Sequence, residues 1–442
     1  MKNARLVTLK ALLKMDLNDG YSGIIFNKEI KKSEIDSRDI AFCGNLFYGV
    51  LEKKITLDYI ISLYSKMPIK KISTDILNIL RMGIYQIVYM DKVPDSAAVN
   101  ESVNLVKVIK KRSASGFVNG ILRSFLKSNK KYSLPQNKIK SLCIEYSCPE
   151  WIINLFMKSY GEVNTIKVLK SLSGRSPINI RVNNLKTTTS ELIEKLASDG
   201  VKACTVDLID GALTLENTGS IESLNCYKDG LFHVQDLASQ ICSKSLCAKP
   251  SQTVVDVCAS PGGKSFTIAE MMNNRGNLFA FDIYTSKVEL IQKGARRLGI
   301  EIINSSVRDA TSASKPLPLA DRILCDVPCS GLGIIRRKPE IRYKEKTLWD
   351  KLPELQYDIL CKSCVFLKNG GILVYSTCTL NPAENNNIAD KFLLEHPDFE
   401  PVSLNNLGIE RVIPEKNNQL TLFPGIHNTD GFFISAFRKR GN

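Results

Sequence analysis

The chain is poor in the residues that metal and membrane chemistry need. Its 442 residues hold three histidines and two tryptophans. No run approaches the roughly 20 apolar residues of a membrane span, so no membrane partner is expected. The opening residues Met1-Lys2-Asn3-Ala4-Arg5 form no apolar signal core, and Lys14 and Asp16 follow soon after. Export is therefore not expected, and a cytoplasmic location is. The sequence shows no internal repeat, no low-complexity tract and no G-x-G-x-x-G dinucleotide fingerprint. Cysteine is the exception to this scarcity, with thirteen. Without a signal segment they are expected to be reduced thiols. Cys361 and Cys364 have the spacing of a metal-binding pair, but no second pair exists and histidine is scarce. They are read as packing residues of a helix, and no metal is expected.

Charge is present in excess of one sign. The formal net charge is +15. Residues 1–140 carry 25 Lys/Arg against 12 Asp/Glu, while the remaining 302 residues carry 35 against 33. A basic module joined to a neutral one suits a grip on a polyanion, although charge alone fits a solvated surface as well.

The pattern changes three times along the chain. Residues 1–135 read as helical. Leu6, Leu9, Leu12 and Leu13 recur at helical spacing, as do Ile76, Leu77, Leu80, Ile84, Ile87 and Val88. Val99, Val103, Val106 and Ile109 mark a further helix that begins at Asp95-Ser96, and Val118, Ile121, Leu122 and Phe125 mark another. A polar stretch with Pro135 reads as a linker. Residues 140–235 mix a helix around Trp151–Tyr160 and a helix at Ser190–Ser198 with strands at Ile178–Val182, Val201–Val206 and Gly211–Leu215. That is a small α+β, RRM-like module. From 236 to 442, short buried strands alternate with helices: 254–257, 278–281, 302–307, 323–325 and 372–375. This is the pattern of a Rossmann-like, doubly wound parallel sheet. Residues 432–437 would close it as an antiparallel strand. The fold class is multidomain: all-α, then α+β, then α/β.

The first strand of the third domain runs into Asp256-Val-Cys-Ala-Ser-Pro-Gly-Gly-Lys264. Gly262 and Gly263 let a ligand approach backbone at a helix N-terminus. A phosphate loop needs G-x-x-x-x-G-K-[ST], and its first glycine position here holds Cys258. The acids decide the ligand. Asp282 ends the second strand, Asp309 follows the third and Asp326 ends the fourth. In such a sheet the ligand sits at the carboxyl ends of strands. One acid there can accept ribose hydroxyls and another an adenine amino group. One aspartate at a strand end is as readily a helix cap. Three at successive ends, with the glycine loop, suit S-adenosylmethionine, which has no phosphate.

Two thiols share that edge. Asp326-Val-Pro-Cys-Ser-Gly331 follows the fourth strand and Ser376-Thr-Cys-Thr379 the fifth. Cytosine carbon 5 is a poor nucleophile until a thiolate adds at carbon 6. A base must then take the carbon 5 proton, and a second thiol suits the release stage. Asp326 would hydrogen-bond the pyrimidine edge, and Lys264 would hold Asp326. Cys325, in mid-strand, reads as core.

Together these residues resemble the bacterial Sun/RsmB-type 16S ribosomal RNA cytosine-5 methyltransferases, in the wider NOL1/NOP2/Sun group. Residues 97–107 and 117–123 are similar to the helical RNA-binding domain of the antitermination factor NusB. Val234-Gln-Asp236, Arg336-Arg337 and Asn381-Pro-Ala-Glu384-Asn385 also fit the family. The resemblance implies that Cys378 is the nucleophile and that Cys329 assists release. It implies that Cys258, Ala259, Ser260, Pro261, Gly262, Gly263, Lys264, Asp282, Asp309 and Asp326 meet the cofactor. Ser260 stands where the family usually has a second alanine. DNA cytosine-5 methyltransferases take their nucleophile from the Pro-Cys motif, which makes Cys329 the rival. Arg336, Arg337, Lys338 and Arg342 follow that motif and are expected to neutralise RNA phosphates beside the active-site mouth. The expected protein is a monomer acting on 16S rRNA, naked or at an early stage of assembly, with the target base unstacked. A tRNA methyltransferase and a non-catalytic assembly factor are the alternatives. The latter would be expected to lack one of the two cysteines.

Overall fold

A computed structural model describes residues 3–17, 20–312, 318–413 and 415–441. The chain divides into two compact units, Met1–Ser173 with Ile335–Lys344, and Gly174–Ile334 with Glu345–Asn442.

The first unit is helical: α1 (Ala4–Leu17), α2 (Ser22–Lys31), α3 (Ser37–Glu52), α4 (Lys54–Tyr64), α5 (Thr74–Tyr89), α6 (Asp95–Val108), α7 (Ser115–Lys127), α8 (Lys138–Glu145) and α9 (Glu150–Ser171). Helix α5 is buried on every side from Ile76 to Ile87, as its nearly continuous apolar sequence requires. Its polar residues are paired. Arg81 forks onto Asp58 at 2.6 and 2.8 Å, and Asn78 donates to Asp16 at 2.8 Å. Leu9, Leu12, Leu46, Phe47, Leu122 and Phe125 from the neighbouring helices complete this core. Helix α9 breaks at Gly161, whose φ of 74° is left-handed. The packing groups α8 and α9 with the N-terminal helices: Ile55 N donates to Ser147 Oγ (3.0 Å) and Tyr59 OH to Ser133 O (2.7 Å).

The segment Ile335–Lys344 also belongs to this unit, with a 3₁₀ turn at Pro339–Tyr343. It corrects one expectation. Arg342 is fully buried and faces no solvent. Its guanidinium donates to the carbonyls of Glu52 (3.1 Å), Tyr146 (3.2 Å), Ser147 (2.9 Å) and Leu172 (3.2 Å). These lie at the C-terminal ends of α3, α8 and α9, where helices leave carbonyls unpaired and the dipole favours a cation. Arg342 is therefore a structural plug and makes no phosphate contact. Two residues earlier, Glu340 accepts from Ser22 N (3.1 Å) and Ser22 Oγ (2.9 Å) at the opposite kind of helix end, the start of α2.

The second unit carries two sheets. The smaller is antiparallel, in the order β2-β3-β1-β4, from β1 (Ile178–Val182), β2 (Lys202–Thr205), β3 (Ala212–Glu216) and β4 (Phe232–Val234). Helices α10 (Thr189–Ser198) and α11 (Asn225–Lys228) alternate with its strands in the β-α-β-β-α-β order of a ferredoxin-like fold. Thr188 and Glu191 form a capping box at the start of α10.

After α12 (Leu237–Ser245), the larger sheet runs β10-β12-β9-β8-β5-β6-β7, with β11 on β12. Its strands are β5 (Thr253–Asp256), β6 (Asn277–Asp282), β7 (Ile303–Val307), β8 (Ala320–Asp326), β9 (Leu367–Thr377), β10 (Phe399–Pro401), β11 (Gln419–Leu422) and β12 (Phe432–Lys439). Helices α13 (Gly263–Met271), α14 (Thr285–Leu298), α15 (Leu352–Cys364) and α16 (Asn386–Glu395) belong to the same α/β unit. Strands β5 to β9 are parallel and β12 is antiparallel to β9. Burial on both faces explains the apolar runs of β5, β6, β8 and β9. The expected buried strand at 302–307 is instead β7, at the sheet edge, with no buried residue. The connection reverses direction between β6 and β8, which flank β5, so the switch point lies at the end of β5. Among the described residues, no helix is long and apolar enough to cross a membrane and no His/Cys/Asp/Glu group is arranged to hold a metal.

Candidate active site

The carboxyl end of β5 starts the site. The chain turns through Cys258–Gly262 into α13, and Gly262 caps that helix with a φ of 111°. A Cβ there would stand 2.3 Å from the Phe266 ring, so only glycine fits. Asp256 lies beneath the loop, 1% exposed, and accepts from Ser265 Oγ at 2.7 Å. Burial pushes its carboxyl up to about 7. Ala259 is buried and its N–H donates to Phe281 O (2.7 Å), tying the loop to β6. Ser260, Gly263 and Lys264 are half-buried and Pro261 is exposed. The Cys258 thiol is also raised, by burial first, which suits a packing role.

Asp282 ends β6 and accepts from Tyr284 N at 3.2 Å. The apolar side chains of Ile283 and Tyr284 that follow are exposed, which gives a flat ring a surface beside the acid. Asp309, beyond β7, is exposed and accepts from the N–H and hydroxyl of Thr311. These residues fit an adenosyl group: a glycine that lets backbone approach, a carboxylate at a strand end, and bare apolar surface between them. The loop has no phosphate-binding glycine at position 258.

Asp326 ends β8. Its Oδ2 pairs with Lys264 Nζ at 2.8 Å and its Oδ1 accepts from Ser376 Oγ at 2.8 Å. Burial opposes the Lys264 charge, but the Asp326 carboxylate together with neighbouring thiols outweighs it, so the ammonium stays charged. Lys264 also lies over the Phe432 ring, 5.1 Å from its centroid. Strands β8 and β9 are parallel neighbours with Asp326 opposite Ser376. The two turns that leave them therefore emerge side by side, and the sulfurs of Cys329 and Cys378 stand 3.1 Å apart. Both thiols are half-buried. The Cys329 thiol is held well above its ordinary range, by its hydrogen bond with Cys378 first, then burial, then nearby negative groups.

The geometry thus gathers Cys258–Lys264, Asp282, Asp309, Asp326, Cys329 and Cys378 at one edge of the larger sheet. Arg336, Arg337 and Lys338 are half-buried in the helical unit, where Lys338 Nζ lies 4.8 Å from the Tyr21 ring centroid. Sequence reasoning gave no role to Ser330, Gln356, Ser376 or Glu384. Ser330 and Ser376 each adjoin a motif cysteine or its strand end, which was the available signal. Gln356, in mid-helix, carried none.

Strand order, glycine loop and acidic strand ends define the class: an S-adenosylmethionine-dependent methyltransferase. A sequence model of the 16S rRNA methyltransferase RsmB/F family matches residues 244–438, the NusB family matches 2–127, and the ferredoxin-like domain of RsmF/B-like methyltransferases matches 148–222. The chain belongs to the ribosomal RNA small subunit methyltransferase B family, of the Sun group. It is 35% identical to the probable ribosomal RNA small subunit methyltransferase B of Bacillus subtilis strain 168, over 99% of both chains. It is equally similar to the protein of that name from Synechocystis sp. strain PCC 6803, covering 99% of this chain and 100% of the other. The crystal structure of a methyltransferase homologue from Pyrococcus horikoshii superposes with a TM-score of 0.60 at 28% identity, covering 69% of this chain and all of that one.

Proposed function

We propose that this chain methylates carbon 5 of a cytosine in 16S ribosomal RNA through a covalent bond between Cys378 and carbon 6 of the base. The observation that carries this reading is the pair of thiols 3.1 Å apart beside the Asp326–Lys264 ion pair. Cys258–Lys264, Asp282 and Asp309 would hold S-adenosylmethionine, which when bound would supply an electrophilic methyl group.

The Cys378 thiolate adds to carbon 6 and forms the S–C bond, and carbon 5 then carries the electron pair that takes the methyl, while the electrons of the donor's S–CH3 bond stay with the departing S-adenosylhomocysteine. Asp326, fixed by Lys264 and Ser376, accepts from the pyrimidine amino group and orients the base. A base removes the carbon 5 proton, and elimination returns the S–C electron pair to Cys378. Cys329, which keeps its proton, sits where it can protonate the departing sulfur and assist release. The base must leave its stack to reach the thiols, as in other enzymes that act on nucleobases. Arg336, Arg337 and Lys338 serve as phosphate contacts in this reading, while Arg342 does not.

The test is methylation of a 16S rRNA transcript with a labelled methyl donor, followed by bisulfite sequencing. A protected cytosine at the labelled position is expected. Label at any other base, or at a cytosine that bisulfite still converts, rejects the proposal.

A further inference from the structure

Two thiols on two separate turns must be held in register for one to attack and the other to hold a proton. Neither turn is regular secondary structure at the cysteine, so something beyond the sheet sets their spacing. The residues after each cysteine lead to it. Ser330 follows Cys329 and Thr379 follows Cys378, and their hydroxyls share a hydrogen bond of 2.7 Å. Both are buried. Beneath them lies Glu384, in the turn before α16 and fully buried.

Four bonds converge on the Glu384 carboxylate. Oε2 accepts from Ser330 N (2.9 Å) and from Gln356 Nε2 on α15 (2.9 Å). Oε1 accepts from Ser330 Oγ (2.6 Å) and from Asn381 Nδ2 (2.9 Å). Gln356 Nε2 also donates to Pro328 O (2.9 Å), so the Cys329 turn is held on both sides. The Glu384 carbonyl accepts from Tyr375 OH on β9 (2.6 Å). Among the described residues no lysine or arginine pairs with this carboxylate. A buried carboxylate without a cation is costly unless donors fill its lone pairs, as they do here.

We propose that Glu384 is a positioning residue of the methyl-transfer reaction: through Ser330 and Gln356 it locks the Cys329 turn to the Cys378 turn, and it sets its carboxylate on the Cys329 side of the pair. The groups that face Cys329 are Cys378 and Tyr375 from β9 and its turn, and Glu384 from below. Cys378 most and Glu384 less disfavour a negative charge on Cys329, burial adds to them, and the backbone hydrogen bond of Gly331 opposes them. The inference rests on the reading of these two thiols as the reacting groups.

The test compares Glu384→Gln with Ser330→Ala in the full chain. Glutamine keeps the shape and can still accept from Ser330 N and Gln356, but it lacks the charge. Alanine keeps the charge and breaks the tether to Thr379. Glu384→Gln should lower kcat by about 100-fold, as a misplacement near 1 Å does, with KM for RNA little changed. Peptide-resolved alkylation by iodoacetamide across pH should show Cys329 reacting at lower pH than in the unaltered protein. Ser330→Ala should lower kcat about tenfold and leave the Cys329 alkylation profile in place. An unchanged kcat in Glu384→Gln overturns the proposal. So does a lowered kcat with an unmoved Cys329 profile, which would mean a merely structural role. If Glu384→Gln fails to fold by thermal melting, full activity in Ser330→Ala overturns it instead. Full activity in Cys378→Ala would reject the covalent reading itself, and the alkylation shift would remain readable on its own.

Discussion

The sulfur of Cys329 lies 3.1 Å from the sulfur of Cys378, although 49 residues separate them in the chain. That spacing lets one proton serve both groups. A thiol at Cys329 can donate to a thiolate at Cys378, and the buried Glu384 carboxylate lies on the Cys329 side, bonded to Ser330. That placement supports the proposed roles. Cys378→Ala should lower methyl transfer at least about 10³-fold, as loss of a nucleophile does, while the protein still binds the methyl donor. Cys329→Ala should methylate once and then stall, leaving a covalent RNA adduct visible as a slow band on a denaturing gel. If the stalled adduct appears in Cys378→Ala instead, the assignment is reversed.

Arg342 should be worth far more to stability than a basic residue in a surface loop. Truncation to alanine strips the Arg342 donors from the carbonyls of Tyr146, Ser147 and Leu172, and leaves Glu52 O only the Tyr343 hydroxyl at 3.4 Å. A loss of about 3 kcal/mol or more is expected. The two tryptophans are divided between the units, Trp151 on α9 and Trp349 in the second unit. In a Trp349→Phe background, urea unfolding followed by fluorescence therefore reads the helical unit alone. Arg342→Lys should recover only part of the loss, because an ammonium lacks the planar fork. An Arg342→Ala midpoint within 0.5 kcal/mol (roughly the surface-mutation range) of the unaltered protein would contradict the plug.

Asp256 predicts a pH dependence in the other unit. Its folded carboxyl is raised to about 7 from the ordinary 3.8. Between those values the folded protein holds a proton that the unfolded chain has released, so stability falls as pH rises through this window. The contribution is complete below the unfolded value and gone above the folded one. The slope from this one group is at most about 1.4 kcal/mol per pH unit. Urea melts at pH 5, 6, 7 and 8 in a Trp151→Phe background should show the decline, and Asp256→Asn should flatten it. An identical pH profile in the variant would exclude Asp256 as the source.

The helical unit carries most of the excess positive charge, and some of it is free to meet RNA. Lys107, Lys110 and Arg112 are exposed at the end of α6. Replacing all three with glutamine should weaken RNA binding and reduce the slope of log affinity against log salt by about 2. Filter binding at several salt concentrations measures this. An unchanged slope would remove these residues from the RNA interface.

Much of the candidate site's geometry was legible because strand periodicity puts particular residues at carboxyl ends. Once β5, β6, β8 and β9 were read from their apolar runs, Gly262, Asp282, Asp326, Cys329 and Cys378 had to converge. Arg342 was misread for a physical reason. It sits among Arg336, Arg337, Lys338 and Lys344, and such a cluster looks solvated. Its true partners are main-chain carbonyls between 170 and 290 residues earlier, and main-chain acceptors leave no trace in side-chain pattern. Glu384 was named only within a family-like motif and given no role, because its four donors come from Ser330, Gln356 and Asn381, which side-chain pattern does not bring together. The three- and four-residue strands β4, β10 and β11 are too short for period-two alternation to show.

The helical unit is discontinuous in the chain, and that bears on the order of its making. A ribosome releases α1 to α9 first, and N-terminal domains generally fold as they emerge. Here the last ten residues of the first unit arrive about 160 residues after α9 is complete. Until Arg342 leaves the exit tunnel, the carbonyls at the ends of α3, α8 and α9 have only water for partners, and Ser22 lacks Glu340. The first unit therefore gains its last polar contacts only after Asp326 and Cys329 have been made. A truncated product that stops before residue 342 would have a helical unit lacking its plug, with main-chain carbonyls at three helix ends left to water for the cell's proteases to find.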